Sequence, residues 1–402
     1  MTHPAATSYL GLAPFLRLNI AGGDLRPIAQ TLIETAEQDV KNANLWLNLS
    51  TALFCIGQRE TGLSIQAQAL AMQRSYAIAA ARQPARFRLL VLAVAGDIAE
   101  NTPIDCLLEG GDIDLLYYYT TADAPLPANT PEHDAVLVAI SYSETNQATL
   151  QALVPLLRKW SRPVVNAPQH LANTARDTAS ALLQGVPGLL MPPTRRIDRD
   201  GLQAIANGEA RIEDLFADCR FPIILRPLDS QAGRDLARID DAGGIVDYLA
   251  TVGAPLFFLS RFIDYSGADG LFRKYRIALI GGRPFACHMG ISSHWMIHYL
   301  NAGMYESAEK RAEEATFMNC FDAFAERHRT VLATIHQRSG LDYMCIDCAE
   351  TPRGELLIFE MDHVMVVHAM DPEKLFPYKQ VHMRKVRQAF EDFLTDLTGG
   401  AR

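Results

Sequence analysis

The chain has 402 residues, more than one ordinary hydrophobic core supports, so two or three domains are expected. Hydrophobic residues make up 49% and charged residues 21%, which excludes a disordered chain, and a net charge of -9 disfavours nucleic acid and anionic lipid as partners. No stretch approaches the roughly 20 apolar residues of a membrane helix. The N-terminus shows no basic leader followed by an apolar run, and an odd number of scattered cysteines suggests no disulfide framework, so a reducing cytoplasm is the expected setting.

Residues 1–84 read as helical. Ala, Leu and Gln are frequent between positions 25 and 82; Trp46, Leu49 and Leu53 share one helical face, Gly57 punctuates, and Leu63, Ala67 and Leu70 resume the stripe. Trp46, Leu49, Gly62 and Ala69 sit near the characteristic positions of a tetratricopeptide hairpin, which this pair resembles. A single repeat cannot bury its own face, so it must dock on the rest of the chain or on another subunit. A docking platform for a peptide or protein over 25–82 and a packing or homodimerisation module both stay open.

Pro84 closes this part, and residues 85–190 read as a small α/β domain. RFRLLVLAVAG, IDLLYYYT and DAVLVAIS are continuous apolar runs of strand length, and TLQALVPLLRKW is a helix leading to a strand at PVVNA. Strands alternating with helices predict a parallel sheet. The last unit, 191–402, is entered through MPPTRRIDRDG, with a lid over about 200–260. It alternates strands and helices and ends in two adjacent strands, LDYMCIDCAE and ELLIFEMDHV.

Those two segments, joined by TPRG, carry a hairpin signal. Glu360 and Asp362 are two apart and point to one face of the second strand, with Asp347 beside them across the ladder. Three carboxylates among Ile, Leu, Phe and Met repel one another unless a cation neutralises them. Hard oxygen ligands of this kind suit Mg2+ shared with substrate phosphates; the bland alternative is a solvated hairpin edge. Cys345 and Cys348 form a C-x-x-C spacing on the same strand, but no second pair lies at a suitable distance, so buried free thiols are expected rather than a redox or zinc site.

Upstream, Arg226 ends a strand before a turn holding Ser230, Gln231 and Gly233, whose backbone N–H groups can face a polyphosphate. The strand around Leu259, Ser260, Phe262 and Ile263 can frame a nucleobase. Lys274 and Arg276 alternate with Tyr275, so both cations can face one pocket. His288, His294 and His298 cluster with Trp295 and Tyr299 in a segment expected to face substrate; His294 and His298, four apart, would share a helix face. No nearby acid completes a zinc site there, and a general base and a packed role both stay open, as they do for His363 and His368.

In this order the parts resemble the ATP-grasp superfamily, in the carboxylate–amine ligase branch that includes the ribosomal-protein glutamate ligases. The resemblance spans about 85–390 and is strongest at IDCAETPRGELLIFEMD. It implies an α/β protein of the α+β ATP-grasp type: a helical hairpin, a small parallel α/β domain, then two subdomains with antiparallel sheets. It implies ATP and Mg2+ as cofactors, with Asp347, Glu360 and Asp362 as metal ligands. Arg226 would contact phosphate, the loop of Ser230, Gln231 and Gly233 would cover the phosphates, and Leu259, Ser260, Phe262, Ile263 and Lys274 would complete the nucleotide site. Arg276 would act with Arg226 on the transferring phosphoryl group or acylphosphate. Family members usually carry lysine where Arg226 stands, more glycine in the loop, often glutamate at the position of Arg261, and asparagine at that of Asp362. The implied reaction is attack of a substrate carboxylate on the γ-phosphate of ATP, giving ADP and an acylphosphate that an amine or other nucleophile then opens. The substrate would be a small molecule or peptide bearing a carboxylate. A kinase using the same site, or a nucleotide-binding scaffold recruiting a partner through its helices, are the alternatives.

Overall fold

The computed structural model describes residues 7–399, apart from 229, 231 and 232. Four helices open the chain: α1 (Ala13–Ile20), α2 (Arg26–Gln38), α3 (Ala43–Cys55) and α4 (Arg59–Met72). Pro14 and Pro27 stand in the first turns of α1 and α2, where the missing N–H removes no helical hydrogen bond. Helix α3 is apolar on two sides. Leu45, Leu49, Ala52 and Leu53 pack with Phe15, Leu25 and Leu32, while Ala43 and Leu47 join the central core of the molecule. The chain itself therefore covers this helix.

The helical stretch ends sooner than expected, because Ser75–Ile78 forms an edge strand, β1, antiparallel to β3. The first sheet is built from β2 (Phe87–Ala93), β3 (Ile113–Tyr119), β4 (Ala135–Val138) and β5 (Val164–Val165), with α5 (Ile104–Leu108) and α6 (Gln147–Leu157) in the connections. Its order is β1-β3-β2-β4-β5, and β3, β2, β4 and β5 run parallel. Every residue of β4 is fully buried, which is why it reads as an unbroken apolar run.

After α7 (Arg176–Leu182) and β6 (Leu189–Leu190), a second sheet forms from β7 (Thr194–Asp198), β8 (Ile223–Pro227), β9 (Ala237–Ile239) and β10 (Leu256–Arg261). It is antiparallel throughout, in the order β7-β10-β8-β9, and packs on α8 (Arg199–Ala206) and α9 (Ala242–Thr251). The third sheet joins β11 (Phe272–Ile280), β12 (Arg283–Ser292), β13 (Tyr343–Glu350), β14 (Leu356–Asp362) and the short parallel β6, in the order β12-β11-β13-β14-β6. Helices α10 (Ala308–Asn319), α11 (Phe321–Arg327), α12 (Arg329–Ser339) and α13 (Lys379–Leu397) complete the chain, and α13 packs against β11 and β12. The protein is a mixed α/β molecule with one largely parallel sheet and two largely antiparallel ones.

Asn166 bolts the first sheet to the third. It follows β5 with φ at 56°, is fully buried, and its amide accepts from the N–H groups of Asp342 and Tyr343 (3.0 Å each) and donates to the Tyr343 carbonyl (2.8 Å). Asn166→Ala strands these backbone groups in the core and replaces a residue that tolerates the left-handed region with one that does not. It is expected to lower the unfolding free energy by about 3 kcal/mol, measured by urea denaturation.

Candidate active site

A cleft of about 660 Å3 opens between the second and third sheets, within the range usual for small-molecule sites. Strand alternation decides which side chains enter it. On β8, Ile223 and Leu225 turn into the core of the second sheet while Ile224 and Arg226 line the cleft; on β10, Phe257 and Leu259 turn inward while Phe258 and Ser260 line it. Leu259 is thus a fully buried core residue rather than a wall of the site, whereas Ser260, Phe262 and Ile263 do line it. On β11, Lys274 and Arg276 face the cleft, and the intervening Tyr275 packs on Phe317 and Phe324.

The hairpin of β13 and β14 forms as expected, with Asp347 opposite Glu360 and Cys345 opposite Asp362. All three acids line the cleft, but each has its own partner. Asp347, buried, takes both guanidinium contacts of Arg276 (Nε to Oδ1 2.8 Å, Nη2 to Oδ2 3.0 Å) and lies 2.7 Å from Lys274 Nζ. Burial alone would raise its pKa; the adjacent Arg276 and Lys274 charges instead hold the carboxyl well below the usual range. Burial likewise opposes the charge on Arg276, and Asp347 outweighs it, so this guanidinium is raised above its ordinary value. Glu360 pairs with Arg176. Asp362 accepts the N–H groups of His363 (2.7 Å) and Val364 (3.3 Å) on Oδ1.

The neutralising charge expected from a divalent ion is therefore supplied, at two of the three acids, by the protein's own cations. No group of three or more His, Cys, Asp or Glu among the described residues is arranged to hold a metal ion. Both Asp347 oxygens are engaged by Arg276 and Lys274, unlike the second oxygens of Glu360 and Asp362. Glu360 Oε2 and Asp362 Oδ2 make no hydrogen bond to the described residues, and a pair of carboxylates fits a Mg2+ ion that takes its remaining ligands from water and phosphate.

Arg226 is the outlier in the cleft. Only 9% exposed, it donates from Nη2 to the Ser230 carbonyl, while its Nε has no acceptor among the described residues. Burial, with Arg176 close by, lowers its pKa to about 10, so it remains a cation at neutral pH. Among the described residues at this end, Arg176, Arg226, Lys274 and Arg276 face Asp347, Glu360 and Asp362, one positive charge in excess. Such a group invites an anion. Of the expected loop, Gly233 (φ 75°) lines the cleft, Ser230 turns its hydroxyl to the Arg234 carbonyl and lines a smaller neighbouring cavity, and Gln231 lies outside the described residues.

The opposite wall is aromatic: Phe262 meets Trp295 at 5.7 Å between ring centres, with Arg238 over Phe262 at 4.4 Å. The segment holding His294 and His298 is a series of bends rather than a helix, so the two do not share a helix face; His298 lines the cleft and His294 is exposed. His288 lies across the ladder from Arg276, and its ring is 4.6 Å from Tyr299. Burial, with the charges of Arg276 and Lys379, pushes it well below its ordinary pKa, so the imidazole is neutral at pH 7. His363 is fully buried with Nε2 2.9 Å from the Ile140 carbonyl, and half-buried His368 accepts the Met370 N–H; neither lines the cleft. All seven cysteines are free; a hydrogen bond with Cys287 and then burial drive Cys345, and burial drives Cys348, well above the ordinary thiol pKa, as inert core thiols should be.

Three features have no motif behind them. Arg176 lies 184 residues from its partner Glu360. Lys379, 2% exposed, is clasped by Glu314 and Asp371 at 3.4 and 3.1 Å beneath Tyr299, a cleft residue whose hydroxyl donates to Glu314. Its sequence signal was a lysine on the apolar stripe of α13, in step with Met383, Val386 and Phe390. The helical N-terminus also reaches the site. Phe54 and Arg59 line the far end, Arg59 pairs with Asp97 at 2.6 Å, and Gln66 holds both backbone groups of Gly96.

No family model and no curated protein matches this chain. Among solved structures, it is similar to D-alanyl-alanine synthetase A from Vibrio cholerae, with 12% identity over 79% of this chain and 100% of that one, at a TM-score of 0.47. The D-alanine-D-alanine ligase from Coxiella burnetii matches at 11% identity over 78% and 95%, TM-score 0.46. A RimK domain ATP-grasp protein from Sphaerobacter thermophilus matches at 17% identity over 77% and 99%, TM-score 0.41. At these values the likeness assigns no activity.

Proposed function

We propose that this chain is an ATP- and Mg2+-dependent ligase of the ATP-grasp type it resembles. It would activate a carboxylate as an acylphosphate and join it to an amine or other nucleophile on a small molecule or peptide. The observation that carries this is Arg226, a buried guanidinium whose Nε has no acceptor among the described residues, facing a cleft where those residues bring an excess of positive charge and two available carboxylate oxygens. A polyanion bearing a divalent metal satisfies both halves at once.

In this reading Arg226 binds the polyphosphate, and Lys274 and Arg276 offset charge on the transferring phosphoryl group and the acylphosphate. Asp347 positions both cations. The wall of Phe262, Ile263 and Trp295 receives the base, with Ser260 at its edge. Glu360 and Asp362 would hold Mg2+, which when bound neutralises phosphate oxygens. His288, neutral and beside Arg276, can accept a hydrogen bond from an incoming amine.

The test is release of ADP and phosphate from MgATP against pooled carboxylates and amines. Release that needs both a carboxylate and a nucleophile supports the ligase. ADP formed with a stable phosphorylated product points to a kinase, and absence of MgATP binding overturns the proposal. Glu360→Ala is expected to cut Mg2+-dependent turnover by at least about a hundredfold, with partial recovery at high Mg2+ and an unchanged far-ultraviolet circular dichroism spectrum. Undiminished turnover would remove Glu360 from the site.

A further inference from the structure

Arg176 is the first residue of α7, outside both sheets that form the cleft, yet it lines the cleft. Its guanidinium pairs with Glu360 and reaches the Phe359 carbonyl at 3.4 Å; the two side chains are 20% and 28% exposed, so the pair can open without unpacking a core. Its positive charge acts on Arg226, whose Nε has no acceptor among the described residues. Two guanidinium groups thus crowd one carboxylate. An incoming anion that meets both cations is therefore favoured here.

We propose that Arg176 is a placeholder cation: it neutralises Glu360 in the free protein and passes to the polyphosphate when metal and nucleotide enter together. This rests on the ligase reading, because it takes Glu360 as a metal ligand. A divalent ion arriving alone must share Glu360 with Arg176, binding at the second oxygen against that neighbouring positive charge. An ion arriving with nucleotide brings the phosphate that satisfies both arginines. Metal and nucleotide therefore bind with positive coupling, and Arg176 carries part of it. A purely structural clamp between α7 and β14 would produce no such coupling.

The experiment is titration of the full-length protein with Mn2+, followed by electron paramagnetic resonance, with and without a non-hydrolysable ATP analogue. Wild type should bind Mn2+ weakly alone and more tightly with the analogue. Arg176→Gln should tighten Mn2+ binding to the nucleotide-free protein by about tenfold and shrink the coupling by the same factor. Arg176→Lys, which keeps the charge, should behave as wild type. If the Gln variant does not fold, Arg176→Met, which keeps the length of the stem, takes its place. Equal Mn2+ affinity in wild type and the Gln or Met variant overturns the placeholder role while leaving the ligase reading intact, as does a Lys variant that matches Gln. Failure of wild type to bind Mn2+ even with the analogue overturns both.

Discussion

Arg226→Met is expected to raise the melting temperature of the free protein by a few degrees while weakening MgATP binding at least a hundredfold. Both effects have one cause. Burying this guanidinium, with Arg176 close by, is destabilising, and the lowering of its pKa to about 10 from 12.5 corresponds to roughly 3 kcal/mol. Because the folded-state value of this base lies below the unfolded one, the penalty is present in full at neutral pH. It is relieved only as pH rises from about 10 towards the unfolded value. Methionine fills the volume of the stem with no charge to bury, so the free protein gains stability. The bound state loses a buried, charge-assisted contact to phosphate, worth well over a factor of ten. Differential scanning calorimetry and isothermal titration with MgATP read the two arms separately. A variant that melts lower and binds as before would mean that Arg226 is only a structural residue.

Asp347→Asn should be the most damaging single change in the cleft. The carboxylate neutralises Arg276 and Lys274 together while 2% exposed, and an amide of the same shape leaves both cations without a counter-charge. Breaking a buried pair from one side costs about 3–5 kcal/mol, and misplacing the two cations should lower kcat by roughly a hundred- to a thousandfold. Excess Mg2+ should not restore activity, in contrast to the variant at Glu360, because Asp347 orders cations rather than the metal. The acid profile provides a second check. The folded-state pKa of Asp347 is depressed, so its contribution is complete above the unfolded value near ~4 and is lost as pH falls below it. Urea midpoints between pH 5 and 2.5 should therefore fall more steeply in wild type than in the Asn variant. Parallel profiles would sink the assignment.

Much of the framework was legible before any coordinates. The apolar runs of β2, β3 and β4 announced central strands because both of their faces are covered. The hairpin of β13 and β14 stood out because acids among Ile, Leu and Met demand a compensating charge. Lys274 and Arg276 were correctly set on one face, since strand alternation is a local rule. Failures fell where a local rule was not enough. Leu259 obeys the same alternation but on the inward phase, which only the core beneath the second sheet fixes. Residues 294–298 suggested a helix by spacing, yet the chain there bends around the cleft rim.

Residue order alone determined the kinds of element, the face each strand side chain shares with its neighbours, and the presence of an acidic hairpin following basic strands. Those are properties of a few consecutive residues and of the cost of burying charge. Tertiary structure alone decided that Asp347 belongs to Arg276 and Lys274, that Glu360 is held by an arginine 184 positions earlier, and that Arg226 Nε has no acceptor among the described residues. Coulomb energy depends on distance through space and on the dielectric around each charge, and neither quantity is written along a chain until it folds.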